Sequence, residues 1–198
     1  MLVGSAIVKD GPEGKARSSL GFFDCLGSTM EIGAKGNQAE GRSMRIGRII
    51  SGGQTGVDRA ALDFAVSRGI EHGGWVPKGR RAEDGPVAPI YNLTETETRR
   101  YAGRTRNNVL DSDGTLIICE GRLSGGTALA RSTALKAGRP LFVIDMSETA
   151  MADAAEAIRL WMGENAISVL NVAGPRESQR PGIYERTRAL LEQTFERP

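Results

Sequence analysis

A glycine-rich segment at residues 51–58 has the residue types that bind a phosphate group. It contains Gly52, Gly53, Gln54 and Thr55 and ends at Asp58, which can orient a ligand hydroxyl or cap a helix. Because glycine lacks a Cβ, its backbone N–H can approach an anion closely, and the positive end of a following helix adds to the attraction. The spacing fits neither the dinucleotide fingerprint nor the Walker loop. The segment predicts a phosphate cradle, with a merely tight turn as the alternative.

Residues 121–127 repeat this arrangement. Gly121, Gly125 and Gly126 provide flexible backbone, and Thr127 can cap a helix or donate a hydrogen bond to a ligand oxygen. A capped helix start would use the same residues, but two such segments in one chain favour ligand binding. We therefore expect a second anion site at this segment.

A third segment, residues 171–178, brings amide, guanidinium and hydroxyl groups together. Asn171 opens the segment, and Arg176 carries the planar guanidinium that binds phosphate in a bidentate manner. The alternative for Arg176 is a surface cation that closes a turn.

Polar residues between the first two segments are further candidates for ligand contacts. Arg104 and Asn108 are four residues apart in a predicted helix, so they share one face with Thr105 beside them. A cation and an amide on one face suit an anionic, heteroatom-rich ligand, although most neighbouring arginines must face solvent. Lys78 belongs to a charged loop at residues 77–89, which is either a lid over the site or a solvated loop.

The composition argues against several other functions. Lys and Arg total 26 and Asp and Glu total 24, so the net charge of +2 predicts no nucleic-acid-binding surface. No acid–base pair, metal-ligand cluster or nucleophilic triad stands out, and His72 is typical of a turn or a strand edge. Cys119 follows an apolar run, which is typical of a small buried hydrophobe. We expect no metal bound by protein side chains.

The alternation of apolar runs and amphipathic stretches predicts the elements that position these loops. Strands are expected at residues 46–50, 75–76, 114–119, 140–144 and 167–172. Helices are expected at residues 57–68, 97–111, 127–136, 149–163 and 182–195, with Thr94 or Thr96 capping the second. This order predicts a Rossmann-like, doubly wound α/β domain with a mostly parallel sheet. The three loops would then meet at the carboxyl edge of the sheet.

The remaining segments bound the domain. Residues 1–43 are rich in Gly, Ser and isolated charges and show no regular period, so they predict a flexible extension before a single domain at residues 44–198. No segment is long and apolar enough for a signal peptide or a membrane span. We therefore expect a soluble, cytoplasmic protein.

Several motifs in a fixed order resemble the putative molybdenum carrier family, which is also described as the circularly permuted YpsA-like branch of the SLOG superfamily. They are IISGGQTGVDRAAL at residues 49–62, GWVPKGR at 74–80, SDGT at 112–115, GGT at 125–127 and NVAGPR at 171–176, together with Tyr101, Arg104, Thr105, Asn108 and Val109. The resemblance runs from about residue 46 to residue 184. It does not cover residues 1–43.

The resemblance implies a Rossmann-like fold related to the lonely-guy phosphoribohydrolases and a homo-oligomer. It also implies binding of molybdenum cofactor (molybdopterin) or another nucleotide derivative. Molybdopterin presents a phosphate for a glycine loop and a pterin edge for amides such as Gln54 and Asn108. A nucleotide would present similar groups.

One departure from the related hydrolases bears on catalysis. Their Gly-Thr-x-x-Glu motif supplies a glutamate for glycosidic cleavage, whereas the residue that follows the matching segment here is Ala130. A hydrolase would have to recruit Asp58, Glu120 or Asp113 instead. This favours a binding or carrier protein, with a phosphoribohydrolase-like enzyme and a nucleotide-sensing module as the alternatives.

Overall fold

A five-stranded parallel sheet is the centre of the computed structural model, which describes residues 46–196. Its strands are β1 (Arg48–Ile50), β2 (Glu71–Gly73), β7 (Gly114–Cys119), β8 (Leu141–Asp145) and β9 (Val169–Ala173). Four two-residue strands lie outside it: β3 (Trp75–Val76), β4 (Arg81–Ala82), β5 (Gly85–Pro86) and β6 (Thr94–Glu95). The helices are α1 (Val57–Arg68), α2 (Tyr101–Leu110), α3 (Gly125–Lys136), α4 (Met151–Glu164) and α5 (Ile183–Thr194).

The strand order of the main sheet is β2-β1-β9-β7-β8, and every pairing in it is parallel. If counting started at β9, this order would read 3-2-1-4-5, the order of the Rossmann and related doubly wound folds. The last strand of the chain therefore occupies the central place that the first strand usually holds. The predicted Rossmann-like fold is confirmed, in a permuted chain order.

Helices cover both faces of the sheet because its strands are apolar on both sides. Leu116 and Ile118 of β7 face the larger core, which contains α1, α4 and α5. Ile117 and Cys119, which point the other way, pack with residues of α2 and α3 such as Val109 and Ala130. Cys119 is 4% exposed, so its predicted burial is confirmed.

Residues 74–96 form a folded excursion between β2 and α2. Strands β3 and β6 pair in parallel, and β4 and β5 form a small hairpin. Val87 and Tyr91 pack on Leu62 of α1, and the Tyr91 hydroxyl donates to Asp63 at 2.6 Å. The Arg80 guanidinium donates to four backbone carbonyl groups of the excursion. The excursion is thus held by side chains as well as by its short strands.

Some predicted boundaries were wrong. Helix α2 begins at Tyr101 rather than residue 97, and neither predicted cap caps it: Thr94 lies in β6, and the Thr96 hydroxyl donates to the Thr98 carbonyl. Strand β2 was not predicted at all, and His72 lies within it.

Other expectations concern segments or properties that the fold does not test. The flexible extension at residues 1–43 and the start of the domain at residue 44 lie outside the described residues. Among residues 46–196, no helix is both long and apolar enough to cross a membrane.

Candidate ligand-binding cavity

An open cavity of about 240 Å³ lies at the carboxyl ends of β7 and β9. The order of the sheet reverses between these two strands, and open α/β sheets bind ligands at such a point. The lining comes from the loops after the two strands and the start of α3: Cys119, Glu120, Arg122, Leu123, Ser124, Thr127, Pro175, Gln179 and Arg180. The second predicted segment therefore faces a space that can hold a ligand.

The cavity carries charges of both signs. Arg122 and Arg180 are exposed cations, and the Arg180 Nε donates to the Glu120 carbonyl at 3.0 Å. The Glu120 carboxylate is paired with Arg186 of α5. Burial, with the nearby Asp145 and Glu120 carboxylates, raises the pKa of Cys119 to about 11, so its thiol is neutral. A ligand here meets two guanidinium groups, one carboxylate and an uncharged floor.

The start of α3 is open on the side of its glycines. Gly125 has a φ of 52°, and added Cβ atoms at Gly125 and Gly126 would meet no atom within 4 Å. Ser124 precedes the helix without a side-chain cap, and the Thr127 side chain is buried at the cavity. The N–H groups of Gly125 and Gly126 can therefore receive an anion, whereas the Thr127 N–H donates to the Ser124 carbonyl at 3.1 Å. The Gly121 N–H, by contrast, already donates to Asp145 at 3.0 Å.

The first glycine segment is closed by an ion pair. The Arg104 guanidinium lies directly against Gly52, where a Cβ would collide with it, and Arg104 Nη1 is 2.9 Å from Asp58 Oδ2. The two side chains are only 12% and 4% exposed. Burial raises the pKa of Asp58 above its ordinary value, and the charge and hydrogen bond of Arg104 oppose that shift. The fold brings Arg104, Asp58 and Gly52 together, but their contacts are with one another and leave no space for a ligand between them.

The excursion covers the rest of this segment. Gly53 is buried with a φ of 68°, and a Cβ there would lie 2.9 Å from the Leu93 Cδ1. Gln54 Oε1 accepts the backbone N–H groups of Thr55 at 3.0 Å and Glu83 at 2.8 Å. The Thr55 hydroxyl donates to the Glu83 carboxylate. The Gln54 side-chain oxygen and the N–H and hydroxyl groups of Thr55 are therefore bonded to protein groups.

The other predicted contacts are likewise occupied by the protein. Asn108 accepts the Trp75 N–H at 2.6 Å and donates to the Trp75 carbonyl at 3.2 Å, which joins α2 to β3. Asn171 donates to the Thr115 hydroxyl at 3.1 Å inside the sheet. Thr105 donates to the Tyr101 carbonyl, one turn earlier in its own helix, at 3.1 Å.

Several of these residues line a second, much smaller cavity. Its volume of about 10 Å³ is enough for roughly one water molecule. Its polar lining comprises Arg104, Thr105, Asn108 and Asn171, and Ala130 is also in its wall. The predicted residues therefore meet in space, but the space among them is too small for a nucleotide.

Arg176 and Lys78 lie at the outside of the domain. The Arg176 guanidinium stacks over the Tyr101 ring, 5.1 Å from its centroid, and its Nη1 is 3.9 Å from Glu83. Lys78 is exposed, and its backbone N–H donates to Thr98 at 3.0 Å. Arg176 follows Pro175, which lines the open cavity, so it lies next to that site.

Sequence reasoning did not select the two cavity arginines. Arg122 lies inside the second predicted segment, and Arg180 is four residues beyond Arg176. A cation in each loop after two adjacent parallel strands was the available signal. It could be used only once β7 and β9 were known to be neighbours, because they are more than 50 residues apart in the chain.

The geometry defines a class of protein: a permuted Rossmann-like α/β domain with an open, charged cavity at the reversal point of its sheet. The chain belongs to the circularly permutated YpsA SLOG family, whose model matches residues 49–195.

A crystal structure similar to this chain is that of a protein from Syntrophus aciditrophicus SB described as a putative molybdenum carrier protein. The two share 52% sequence identity over 76% of this chain and 96% of the other, with a TM-score of 0.75. No match was found among curated proteins.

Among residues 46–196, no group of three or more His, Cys, Asp or Glu side chains is arranged to hold a metal ion.

Proposed function

We propose that this protein binds or carries a phosphate-bearing, nucleotide-like ligand, and that molybdenum cofactor is its cargo. The observation that carries the proposal is the open cavity at β7 and β9, where Arg122 and Arg180 flank the start of α3. Guanidinium groups and helix N-termini both favour phosphate. The description of the crystal-structure relative as a molybdenum carrier supports the choice of cargo.

The size of the cavity suits one end of such a ligand. Pockets that enclose a whole drug-sized ligand usually measure about 300–1,000 Å³. At about 240 Å³, this cavity can take a phosphate and part of the attached group. The rest of the ligand would lie over the rim near Arg176.

Ala130, at the position of the hydrolase glutamate, favours binding of a ligand without its turnover. Ala130 is 1% exposed and lines the small 10 Å³ cavity, not the 240 Å³ one. Asp58 is committed to its buried pair with Arg104. Asp113 precedes β7, outside the cavity lining, and accepts the backbone N–H groups of Ser168 and Val169. A phosphoribohydrolase-like enzyme would therefore have to use Glu120, and release of a free base from nucleoside monophosphates is the result that would favour this alternative.

The test begins with protein purified from a host that makes molybdenum cofactor. Native mass spectrometry, an absorbance spectrum and metal analysis should reveal molybdopterin with molybdenum. Replacing both cavity arginines, Arg122→Ala with Arg180→Ala, should remove the ligand, whereas Arg106→Ala on the exposed face of α2 should retain it. A co-purified nucleotide in place of the pterin would redirect the assignment to a nucleotide-processing or nucleotide-sensing protein.

The family resemblance also leads us to propose a cytoplasmic homo-oligomer. Sedimentation equilibrium of the purified protein measures the oligomeric state directly, and a monomer at micromolar concentration would contradict the proposed homo-oligomer.

A further inference from the structure

Glu120 is a carboxylate in a cavity whose other charged groups are cations. It directly follows β7 and lines the cavity together with Arg122 and Arg180. A simple oxyanion, such as phosphate or molybdate, would be attracted by the two guanidinium groups and repelled by the carboxylate. A ligand that joins an anion to hydrogen-bond donors would be complementary to all three side chains. The carboxylate therefore makes a bare oxyanion a weaker ligand than a molecule that also offers hydrogen-bond donors.

The hydrogen bonds of Glu120 leave it able to bind such donors. Arg186 donates to Oε1, and within residues 46–196 no donor reaches Oε2. The side chain is 20% exposed and belongs to a residue that lines the cavity. Each carboxylate oxygen can accept two hydrogen bonds, so Oε2 and one acceptor position of Oε1 remain for a ligand. Arg186 also donates to the Met146 carbonyl at 2.9 Å, which holds its guanidinium in place beside the carboxylate. An ionised carboxylate accepts hydrogen bonds but cannot donate them.

We infer that Glu120 recognises a 2-amino-4-oxopyrimidine ring, the chemical group shared by guanine nucleotides and pterins. This ring presents a ring N–H beside an exocyclic NH₂, and two parallel donors pair with a carboxylate in a bidentate manner. Hypoxanthine offers only the ring N–H, and adenine offers only an exocyclic amine. The inference rests on the proposed function, because it assigns a ligand class to the same cavity.

The experiment compares the affinities of GMP, IMP, AMP, neopterin monophosphate and molybdate for the full chain by isothermal titration calorimetry. A bidentate contact discriminates against a partner with one donor by about tenfold or more. GMP and neopterin monophosphate should therefore bind at least about tenfold more tightly than IMP or AMP, and molybdate should bind most weakly. The tighter of the first two identifies whether the natural ring is a purine or a pterin.

Two variants test the assignment to this residue. Glu120→Gln and Glu120→Ala should each abolish the preference for GMP over IMP, and molybdate should bind the variants more tightly than the wild type. Glu185→Gln, which removes the same charge from an exposed position on α5, should retain the preference. Thermal melting of each protein verifies that it is folded.

The outcomes separate this inference from the proposed function. Equal binding of GMP, IMP and AMP to the wild type would overturn the role of Glu120 and leave the cavity as a phosphate site. Unchanged discrimination in both Glu120 variants would also overturn it. If none of the phosphorylated probes bound the wild type, the proposed function would fall and this inference with it.

Discussion

The absence of a side chain at glycine has a different consequence in each of the two glycine segments. At Gly52 and Gly53 the space is filled by Arg104 and by the excursion, so close approach serves internal packing. At Gly125 and Gly126 the space is open and adjoins the cavity. Glycines with similar sequence surroundings thus have a structural role in one loop and face a ligand cavity in the other.

This difference predicts opposite effects of one substitution. Gly53→Val should destabilise the fold by about 2 kcal/mol or more, because valine would be strained at positive φ and would collide with Leu93. Gly126→Val should remain folded and weaken GMP binding, because its side chain would project at the open end of α3. Urea denaturation and calorimetry measure the two properties. Equal loss of stability in both variants would contradict the distinction.

At the level of elements, the small β4–β5 hairpin connects the first glycine segment, residues 51–58, to the loop between β9 and α5, residues 174–182. This loop is called the cavity loop below. Glu83 at its tip accepts hydrogen bonds from the hydroxyl of Thr55, from the hydroxyl of Ser178 at 2.5 Å and from the Ser178 N–H at 3.3 Å. Ser178 precedes Gln179 and Arg180, which line the cavity. Asp84, the other residue of the tip, pairs with Arg59 of α1 at 3.2 Å. Glu83 thus contacts the cavity loop, whereas Asp84 contacts α1.

We predict that Glu83→Ala increases hydrogen exchange of the backbone amides at residues 176–182 and weakens ligand binding. It should cost about 1–2 kcal/mol of stability, since hydrogen bonds to a charged acceptor are lost. Asp84→Ala is the matched control: it breaks a half-exposed ion pair at the same tip and should cost under about 1 kcal/mol without affecting the cavity loop. Identical exchange in the two variants would mean that the hairpin acts only through general packing.

The same carboxylate makes part of the stability depend on pH. Burial by itself would raise the pKa of Glu83, but hydrogen bonds from Ser178 and Thr55, together with Arg176, hold it below its ordinary value of 4.5. The stabilisation is therefore present above pH 4.5 and is lost as the pH falls through the lowered pKa. The difference in melting temperature between the wild type and Glu83→Gln should shrink in that acidic range.

For the whole molecule, the permuted order makes the last strand the central one. β9 pairs with β1 on one side and β7 on the other, so its residues are enclosed by strands far away in the sequence. The sheet is therefore complete only after most of the chain has been made. Long sequence separations of this kind are associated with slow folding.

A pair of identical substitutions tests the importance of this central strand. Leu170→Ala in β9 removes a fully buried side chain and should cost about 2–5 kcal/mol. Leu135→Ala on α3 removes the same atoms from a side chain that is 56% exposed and should change stability by less than about 1 kcal/mol. The midpoints of urea unfolding measure both effects. Similar midpoints would mean that β9 is not an integral part of the core.

The sequence by itself determined the five helices, four of the five strands of the main sheet, its mostly parallel character and the membership of the family. These follow from local information: apolar runs of strand length, helical spacing of Ala60, Ala61 and Phe64, and glycine-containing turns between them. Helix α2 was placed with the wrong start and cap because the excursion before it is held by distant contacts, such as Tyr91 with Asp63. Local patterns carry no record of such contacts.

Only the tertiary structure decided which of the two glycine segments lies beside a space that a ligand can enter. That Arg104 fills the space at Gly52 depends on how α2 packs against the loop after β1, and that Arg122 and Arg180 share a cavity depends on the pairing of β7 with β9. Both arrangements join residues more than 40 positions apart, so neither composition nor spacing could distinguish them from a phosphate cradle at the first glycine segment. The physical reason is that the space available to a ligand is set by side chains from other segments, which fill it or leave it empty.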